Sequence, residues 1–195
     1  MEHINVLSED QKFFSTKELR ERGFSQYKIS KMVEEGKLTK LNRSYYENNG
    51  YRGEESDFYY ATAYAPQGVI CLHSAAVYYN LTTYIPDAVD VAIPRKAKIS
   101  TLPDWPQMNV HYYTDDRYDL GICKVEEGKN GFRIYNIEKT VVDIVFYREK
   151  VGIEETKEIL TTYLKQKDRN LSRLLKYAEL MKCDKVMRRY LEVLV

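Results

Sequence analysis

Two helix-capping serines and two glycines punctuate the first part of the chain. Ser15 opens a Ser-Thr-Lys-Glu sequence, in which the serine hydroxyl can bind the Glu18 amide while the Glu18 carboxylate binds back to Ser15. Gly23 suits the left-handed position that ends this helix. Ser25 can cap a second helix, and Gly36 can end it. Two short helices joined by a glycine-containing turn are typical of a helix-turn-helix.

The second predicted helix separates apolar from polar side chains. Ile29, Met32 and Val33 follow the helical period and form one apolar stripe, which we expect to face a core. Polar residues occupy the opposite face and its flanks, and those near the amino end of such a helix reach base edges in a major groove. The residues of this segment that we expect to contact DNA are Ser25, Gln26, Tyr27, Lys28, Ser30 and Lys31.

A short β-hairpin is predicted directly after Gly36. Residues 37–41 and 44–46 alternate in strand fashion around a tip that contains Arg43. Lys40 and Arg43 would face phosphates, which fix register without reading sequence. The predicted DNA-binding set is completed by Thr16, at the start of the first helix, and Ser44, beside the hairpin tip.

The order helix, helix, helix, hairpin over residues 2–48 therefore predicts a winged helix-turn-helix domain. It includes a helix before residue 16, in addition to the two capped ones. The alternative is a small helical subdomain whose hairpin binds nothing.

The rest of the chain predicts a mixed domain of strands and helices. Alternating apolar residues indicate strands, and longer periodic stretches indicate helices, so we expect a modest sheet with helices on one side. The expected fold class is α+β, with a winged helix-turn-helix domain at 1–48 and a mixed domain at 49–195 that ends in helices. The expected strands are 69–72, 87–93, 109–113, 120–126 and 131–136, and the expected helices are 73–81, 137–147 and nearly all that follows.

Charge is distributed unevenly along a chain whose formal net charge is only +1. Residues 1–50 carry +1, residues 51–153 carry −3 and residues 154–195 carry +3. The basic residues of the last segment repeat at helical spacing opposite leucine-rich stripes. They form either a solvated helix face or a contact surface for nucleic acid or an acidic protein. These residues are Arg169, Arg173, Lys176, Lys182, Lys185, Arg188 and Arg189.

Sequence patterns for catalysis or metal binding are sparse. His73 and Ser74 are adjacent on a predicted helix, where side chains diverge by about 100°, so they cannot act as base and nucleophile. His3 and His111 have no companions at metal-ligand spacing, and the three cysteines are unpaired in spacing. We therefore expect no catalytic residue, no metal site and no cofactor.

Composition indicates a folded protein of a reducing compartment. The chain is 44% hydrophobic and 30% charged, which is typical of a globular protein. No apolar run approaches the roughly 20 residues of a membrane helix, and the first ten residues lack a signal-peptide core. We expect a cytoplasmic protein without membrane contact.

Several motifs together resemble the AbiEi antitoxins of type IV toxin–antitoxin systems, which act in abortive infection. The resemblance runs over nearly the whole chain, and the order and spacing of the motifs carry it. They are Ser15-Thr16-Lys17-Glu18-Leu19 through Gly36-Lys37-Leu38, then Arg43 to Tyr46, His73-Ser74-Ala75-Ala76, Ile85 to Pro94, and Tyr135 to Asp143.

The resemblance implies a non-enzymatic regulator with two activities. The amino-terminal domain would repress its own operon by binding inverted repeats in the promoter, as a monomer or weakly self-associating protein that binds DNA cooperatively. The carboxy-terminal domain would neutralise a nucleotidyltransferase-like toxin without forming a stable complex with it. The basic residues near the carboxyl end would form the antitoxin surface.

Two alternatives remain at this level. Pro103-Asp104 followed by Glu127 and Lys129 imitates a PD-(D/E)xK nuclease, in which carboxylates hold Mg²⁺ and a lysine steadies the scissile phosphate. Such an enzyme would use the winged helix for DNA targeting. The second alternative is a winged-helix regulator whose carboxy-terminal domain senses a ligand.

Overall fold

A computed structural model describes residues 7–194 of the chain. Its first unit contains two helices and a three-stranded antiparallel sheet of order β1-β3-β2. Both predicted capping interactions are confirmed, since the Glu18 amide donates to Ser15 Oγ (3.1 Å) and the Ser15 amide to Glu18 Oε2 (2.7 Å). Gly23 and Gly36 take positive φ as expected. The elements are β1 (Phe13–Ser15), α1 (Thr16–Glu21), α2 (Gln26–Glu34), β2 (Leu38–Lys40) and β3 (Tyr45–Asn48).

The prediction of a helix before residue 16 is wrong at every position that the structure describes. Residues 7–12 contain a turn, and Phe13–Ser15 form strand β1 against β3; residues 2–6 lie outside the described part. The physical reason is that the side chains of Phe13 and Phe14 are buried in two different hydrophobic cores. Phe14 packs with the first unit, whereas Phe13 packs against the larger sheet. Burial on opposite sides is the two-residue period of a strand.

The second unit is built on a five-stranded sheet of order β6-β5-β4-β8-β7. Strands β5 and β6 are parallel, as are β4 and β8, and the other pairs are antiparallel. The predicted strands are confirmed with small shifts, except that the first shortens to two residues and that β5 includes Pro94. They are β4 (Val69–Ile70), β5 (Val89–Pro94), β6 (Met108–Tyr113), β7 (Ile122–Glu127) and β8 (Asn130–Tyr135).

Helices cover both faces of this sheet, so the expectation of helices on one side only is wrong. Alternate side chains of β5 explain the difference, because Val91 and Ile93 join the core beneath α3 while Ala92 joins the core beneath the other helices. The helices are α3 (Phe58–Tyr64), α4 (Leu72–Tyr78), α5 (Asp115–Tyr118), α6 (Ile137–Phe146), α7 (Arg148–Val151), α8 (Ile153–Lys165), α9 (Leu171–Leu180) and α10 (Asp184–Leu194). The chain is therefore a mixed α+β protein with two small sheets, in which the helical carboxy-terminal end was predicted and α3 was not.

The two units are joined by a polar and aromatic contact. The buried Lys12 ammonium pairs with Glu55 and lies 3.3 Å from Glu47 Oε1. The rings of Phe13 and Tyr60 meet edge to face at 4.9 Å between centroids. The division of the chain at residue 48 stays a prediction. No helix within residues 7–194 combines the length and apolar character needed to cross a membrane.

Candidate nucleic-acid interface

The outward face of α2 is polar and open to solvent, with its apolar side chains beneath. Ile29 and Met32 are buried in the core of the first unit, whereas the Tyr27 side chain on the opposite face is 80% exposed. Ser25 caps the helix, since its hydroxyl accepts from the Lys28 amide at 3.2 Å. Ser25 therefore positions the helix and is already engaged in the chain.

The lysines of α2 are exposed but differ in their partners. Lys28 Nζ lies 5.0 Å from the centroid of the Phe24 ring, which favours a cation. Lys31 Nζ is 3.9 Å from Glu35 Oε1, and Lys37 holds the same carboxylate at 2.8 Å and thereby lowers the pKa of Glu35. Exposed pairs of this kind contribute little stability, so Lys31 can exchange Glu35 for another anion at small cost.

The hairpin that follows α2 is held in place at its tip, where it also presents its cations. The Thr16 amide and hydroxyl donate to the Ser44 carbonyl at 2.7 and 3.2 Å, so both residues fasten the hairpin to α1. Asn42 Nδ2 donates to the Ala63 carbonyl of α3 at 2.9 Å. Lys40 and Arg43 are exposed. Of the sequence-predicted residues, Thr16, Ser25 and Ser44 thus build the frame, and Gln26, Tyr27, Lys28, Ser30, Lys31, Lys40 and Arg43 are presented by it.

Of the two sets of basic residues at helical spacing, Lys185, Arg188 and Arg189 lie on one helix, α10, whereas Arg169, Arg173 and Lys176 do not share one. Helix α9 begins only at Leu171, because Asn170 caps it by accepting from the Arg173 amide at 2.9 Å. Arg169 precedes the helix and donates to the Gln166 carbonyl. The prediction that it shares one helix face with Arg173 and Lys176 is therefore wrong.

Arg173 has a structural partner that its spacing did not reveal. Its Nη1 lies 3.3 Å from Oε2 of Glu138, a carboxylate that is almost fully buried at the start of α6. Arg188 pairs at the surface with Glu179 at 3.5 Å, and Lys182 lies in the α9–α10 turn with positive φ. Lys176, Lys185 and Arg189 are exposed side chains.

A histidine–carboxylate cluster crosses the second unit and was missed from the sequence. Asp90 Oδ1 is 2.8 Å from His111 Nε2, on the neighbouring strand, and Asp90 Oδ2 is 3.7 Å from His73 Nδ1, on α4. The other ring nitrogen of His73, Nε2, lies 3.1 Å from Glu155 Oε1, on α8. His73, Asp90 and His111 border an open cleft of about 320 Å³ that is also lined by Tyr112 and Lys150. The spacing of Asp90 and His111 on two parallel strands is the only sequence signal for it.

The contacts within the cluster favour the charged forms of Asp90 and His73. Burial raises the pKa of Asp90, but the hydrogen bond from His111 and the nearby His73 ring outweigh it and lower this pKa to about 2. Burial also disfavours protonated His73, yet the nearby carboxylates of Asp90 and Glu155 leave its pKa above the ordinary 6.5. The ion pairs of His73 therefore stabilise the fold fully below pH 6.5. This stabilisation is lost as pH rises through the pKa that His73 has in the folded protein.

A second missed feature is an ion pair inside the core. Lys139 Nζ lies 2.7 and 2.6 Å from the two carboxylate oxygens of Asp143, one helical turn along α6, and both side chains are fully buried. The ammonium also lies 4.2 Å from the Tyr135 ring centroid. The sequence signal was the i, i+4 spacing of opposite charges on an otherwise apolar helix.

The residues of the nuclease alternative are engaged in separate contacts. Glu127 accepts from the Tyr59 hydroxyl, and Lys129 lies 3.0 Å from Asp10 Oδ1. Within residues 7–194, no group of three or more His, Cys, Asp or Glu side chains is placed to hold a metal ion. The arrangement gives the nuclease alternative no support.

No protein-family model matches the sequence, and no curated protein matches it either.

Proposed function

We propose that the first unit is a winged helix-turn-helix that binds DNA, with α2 in the major groove and the β2–β3 hairpin as the wing. One observation carries the proposal: α2 buries Ile29 and Met32 while Tyr27 stands 80% exposed beside Lys28 and Lys31. This exposed tyrosine has one lysine next to it and another one helical turn further on, and it packs little against the rest of the chain. It suits base edges flanked by phosphates.

The hairpin adds cations that read no sequence. Lys40 and Arg43 extend from a tip that Asn42 and Thr16 hold in place, so little ordering is needed when they meet phosphates. Fixed positions reduce the entropic cost of binding. Base contacts from Tyr27 and Lys31 and phosphate contacts from the hairpin together constitute the proposed interface.

We further propose that the chain is a cytoplasmic AbiEi-type antitoxin, on the strength of the motif resemblance. It would repress its own promoter at inverted repeats and counteract a nucleotidyltransferase-like toxin without a stable complex. Because Arg173 is tied to Glu138, the antitoxin surface is assigned to the exposed cations of α10, namely Lys185, Arg188 and Arg189.

The DNA proposal is tested by fluorescence anisotropy with the chain's own promoter duplex and a shuffled duplex of equal length. We expect binding to the promoter to be about 10³-fold tighter or more, as for specific complexes. Reversal of Lys31, Lys40 and Arg43 to Glu should abolish binding to both duplexes. The matched control reverses three exposed cations of the second unit, Arg95, Lys96 and Lys98, and should bind like wild type. Equal losses in both variants would refute the assigned face.

The antitoxin proposal is tested by toxin co-expression in growing cells. Reversal of Lys185, Arg188 and Arg189 to Glu should abolish rescue, with the Arg95, Lys96 and Lys98 reversal again as the charge-matched control. Circular dichroism of the purified variants checks that both fold. Full rescue by a folded α10 variant would remove this helix from the antitoxin activity.

A further inference from the structure

Two neighbouring loops of the second unit expose large apolar side chains. Ile85, in the loop after α4, is 82% exposed, and Trp105, in the loop before β6, is 70% exposed. Tyr84 and Leu102 in the same loops are also exposed. Trp105 is the only tryptophan of the chain. Contiguous exposed apolar groups of this kind mark interaction sites, and tryptophan is enriched among residues that dominate binding energy.

These loops border an open groove of about 630 Å³. Ile85 and Trp105 face it from the two loops, and Phe58 and Val77 from α3 and α4 complete its apolar lining. Pro86 and Pro106 follow Ile85 and Trp105 directly and also line it. An apolar cleft between loops accepts an amphipathic helix that inserts a few side chains. We refer to this feature as the Trp105 groove.

The charge at the Trp105 groove indicates what can enter it. Of the described residues that line it, Asp57 and Asp87 carry carboxylates and none is lysine or arginine. Asp104 adds a third carboxylate beside Trp105. Negative charge repels the phosphates of nucleic acid, whereas a cationic helix with an apolar side chain is complementary to it.

Helix α10 of this chain presents such a surface. Its inward side buries Met187, while Lys185, Arg188 and Arg189 are exposed on the other side. Val193, one to two turns further on, is 81% exposed on the same side of the helix. Glu192 is exposed on this side as well, so three cations, one carboxylate and one apolar side chain share the outward face, with a net charge of +2.

We propose that α10 of a second copy of this chain docks into the Trp105 groove. Its cations face Asp57, Asp87 and Asp104, and Val193 enters between Ile85 and Trp105. Each copy carries both the groove and the helix, so a two-fold arrangement satisfies both contacts at once. This contact needs neither DNA nor toxin. It uses the same α10 cations as the proposed antitoxin surface, so it is tested apart from that surface by a variant in the groove, which leaves α10 unchanged.

The test measures self-association of the full chain without DNA, by sedimentation and by tryptophan emission over a range of protein concentrations. Because Trp105 is the only tryptophan, its emission reports burial at the groove directly. We expect the mass to rise towards that of a dimer, with a blue shift of the emission over the same concentrations. Raising the salt concentration should reverse both changes, since the complementary charges are screened.

Two matched variants locate the contact. Ile85→Asp should lower the association constant by about tenfold or more, as expected for a central apolar contact. Ile153→Asp places the same change at an isoleucine that is 58% exposed on α8, outside the groove, and should associate like wild type. The Lys185, Arg188 and Arg189 reversal should weaken association as strongly as Ile85→Asp.

Three results would overturn the proposal. The first is a chain that stays monomeric at every concentration. The second is a dimer whose Trp105 emission does not change. The third is normal association of the α10 reversal, which would exclude that helix as the occupant.

Discussion

Removal of Asp143 alone should destabilise the protein strongly. In the native fold its carboxylate meets Lys139 Nζ at 2.6 and 2.7 Å, with both side chains fully buried. The variant Asp143→Ala leaves the Lys139 ammonium in the core beside the Tyr135 and Tyr113 rings, without its carboxylate partner. Breaking one partner of a buried pair in this way costs about 3–5 kcal/mol of unfolding free energy.

Replacement of both partners should cost far less than replacement of one. The double variant Lys139→Met, Asp143→Leu fills a similar volume and removes both desolvated charges, which is often neutral or stabilising. The two sites are therefore strongly non-additive. Arg117 also acts on the Asp143 carboxylate, but the closest cation is that of Lys139.

Urea unfolding followed by circular dichroism measures these differences, with thermal melting as a second readout. For a chain of this length, about 3–5 kcal/mol corresponds to a melting point lower by roughly 6–20 °C. A loss under about 1 kcal/mol for Asp143→Ala would contradict the buried pair, because an exposed pair contributes no more than that.

Three further outcomes are expected. The free energy of unfolding of the wild type should fall as pH rises above 6.5 through the raised pKa of His73. The His73→Ala variant should lack this decrease when both proteins are unfolded in urea at pH values from 5 to 9. Arg173→Ala should cost about 1–3 kcal/mol in the same assay because it leaves a buried carboxylate unpaired, whereas Lys176→Ala should change little. Lys40→Ala and Arg43→Ala should each weaken operator and random DNA binding alike and lower the salt slope by about one, measured by anisotropy titrations in increasing salt.

Local signals in the sequence were sufficient for much of the first unit. Ser15, Gly23 and Gly36 specify helix ends through their own side chains and backbone freedom, so α1, α2 and the hairpin were predicted. Strand β1 was not, because Phe13 is buried by Tyr60 and the larger sheet, which lie far along the chain. Long-range packing of this kind leaves no periodic trace in three residues.

The same limit applies to the candidate sites. The exposed face of α2 follows from the helical period, and the structure places Tyr27 and Lys31 there as expected. The prediction that Arg169 shares a helix face with Arg173 and Lys176 is wrong because the cap at Asn170, and not the leucine spacing, sets where α9 begins. The partners of Arg173 and His73 belong to α6, α8 and β5, and no spacing in one helix could have named them.

DNA reading by α2 is tested most directly with Tyr27→Ala, measured by anisotropy on the promoter duplex and on a shuffled duplex at one salt concentration. Tyr27 makes no core contact and is 80% exposed, so the variant should keep the wild-type melting temperature. We expect a loss of about 1–3 kcal/mol in binding free energy on the promoter duplex and nearly none on the shuffled one, because only base contacts distinguish the two. An equal loss on both duplexes, or no loss on either, would contradict the placement of α2 in the major groove.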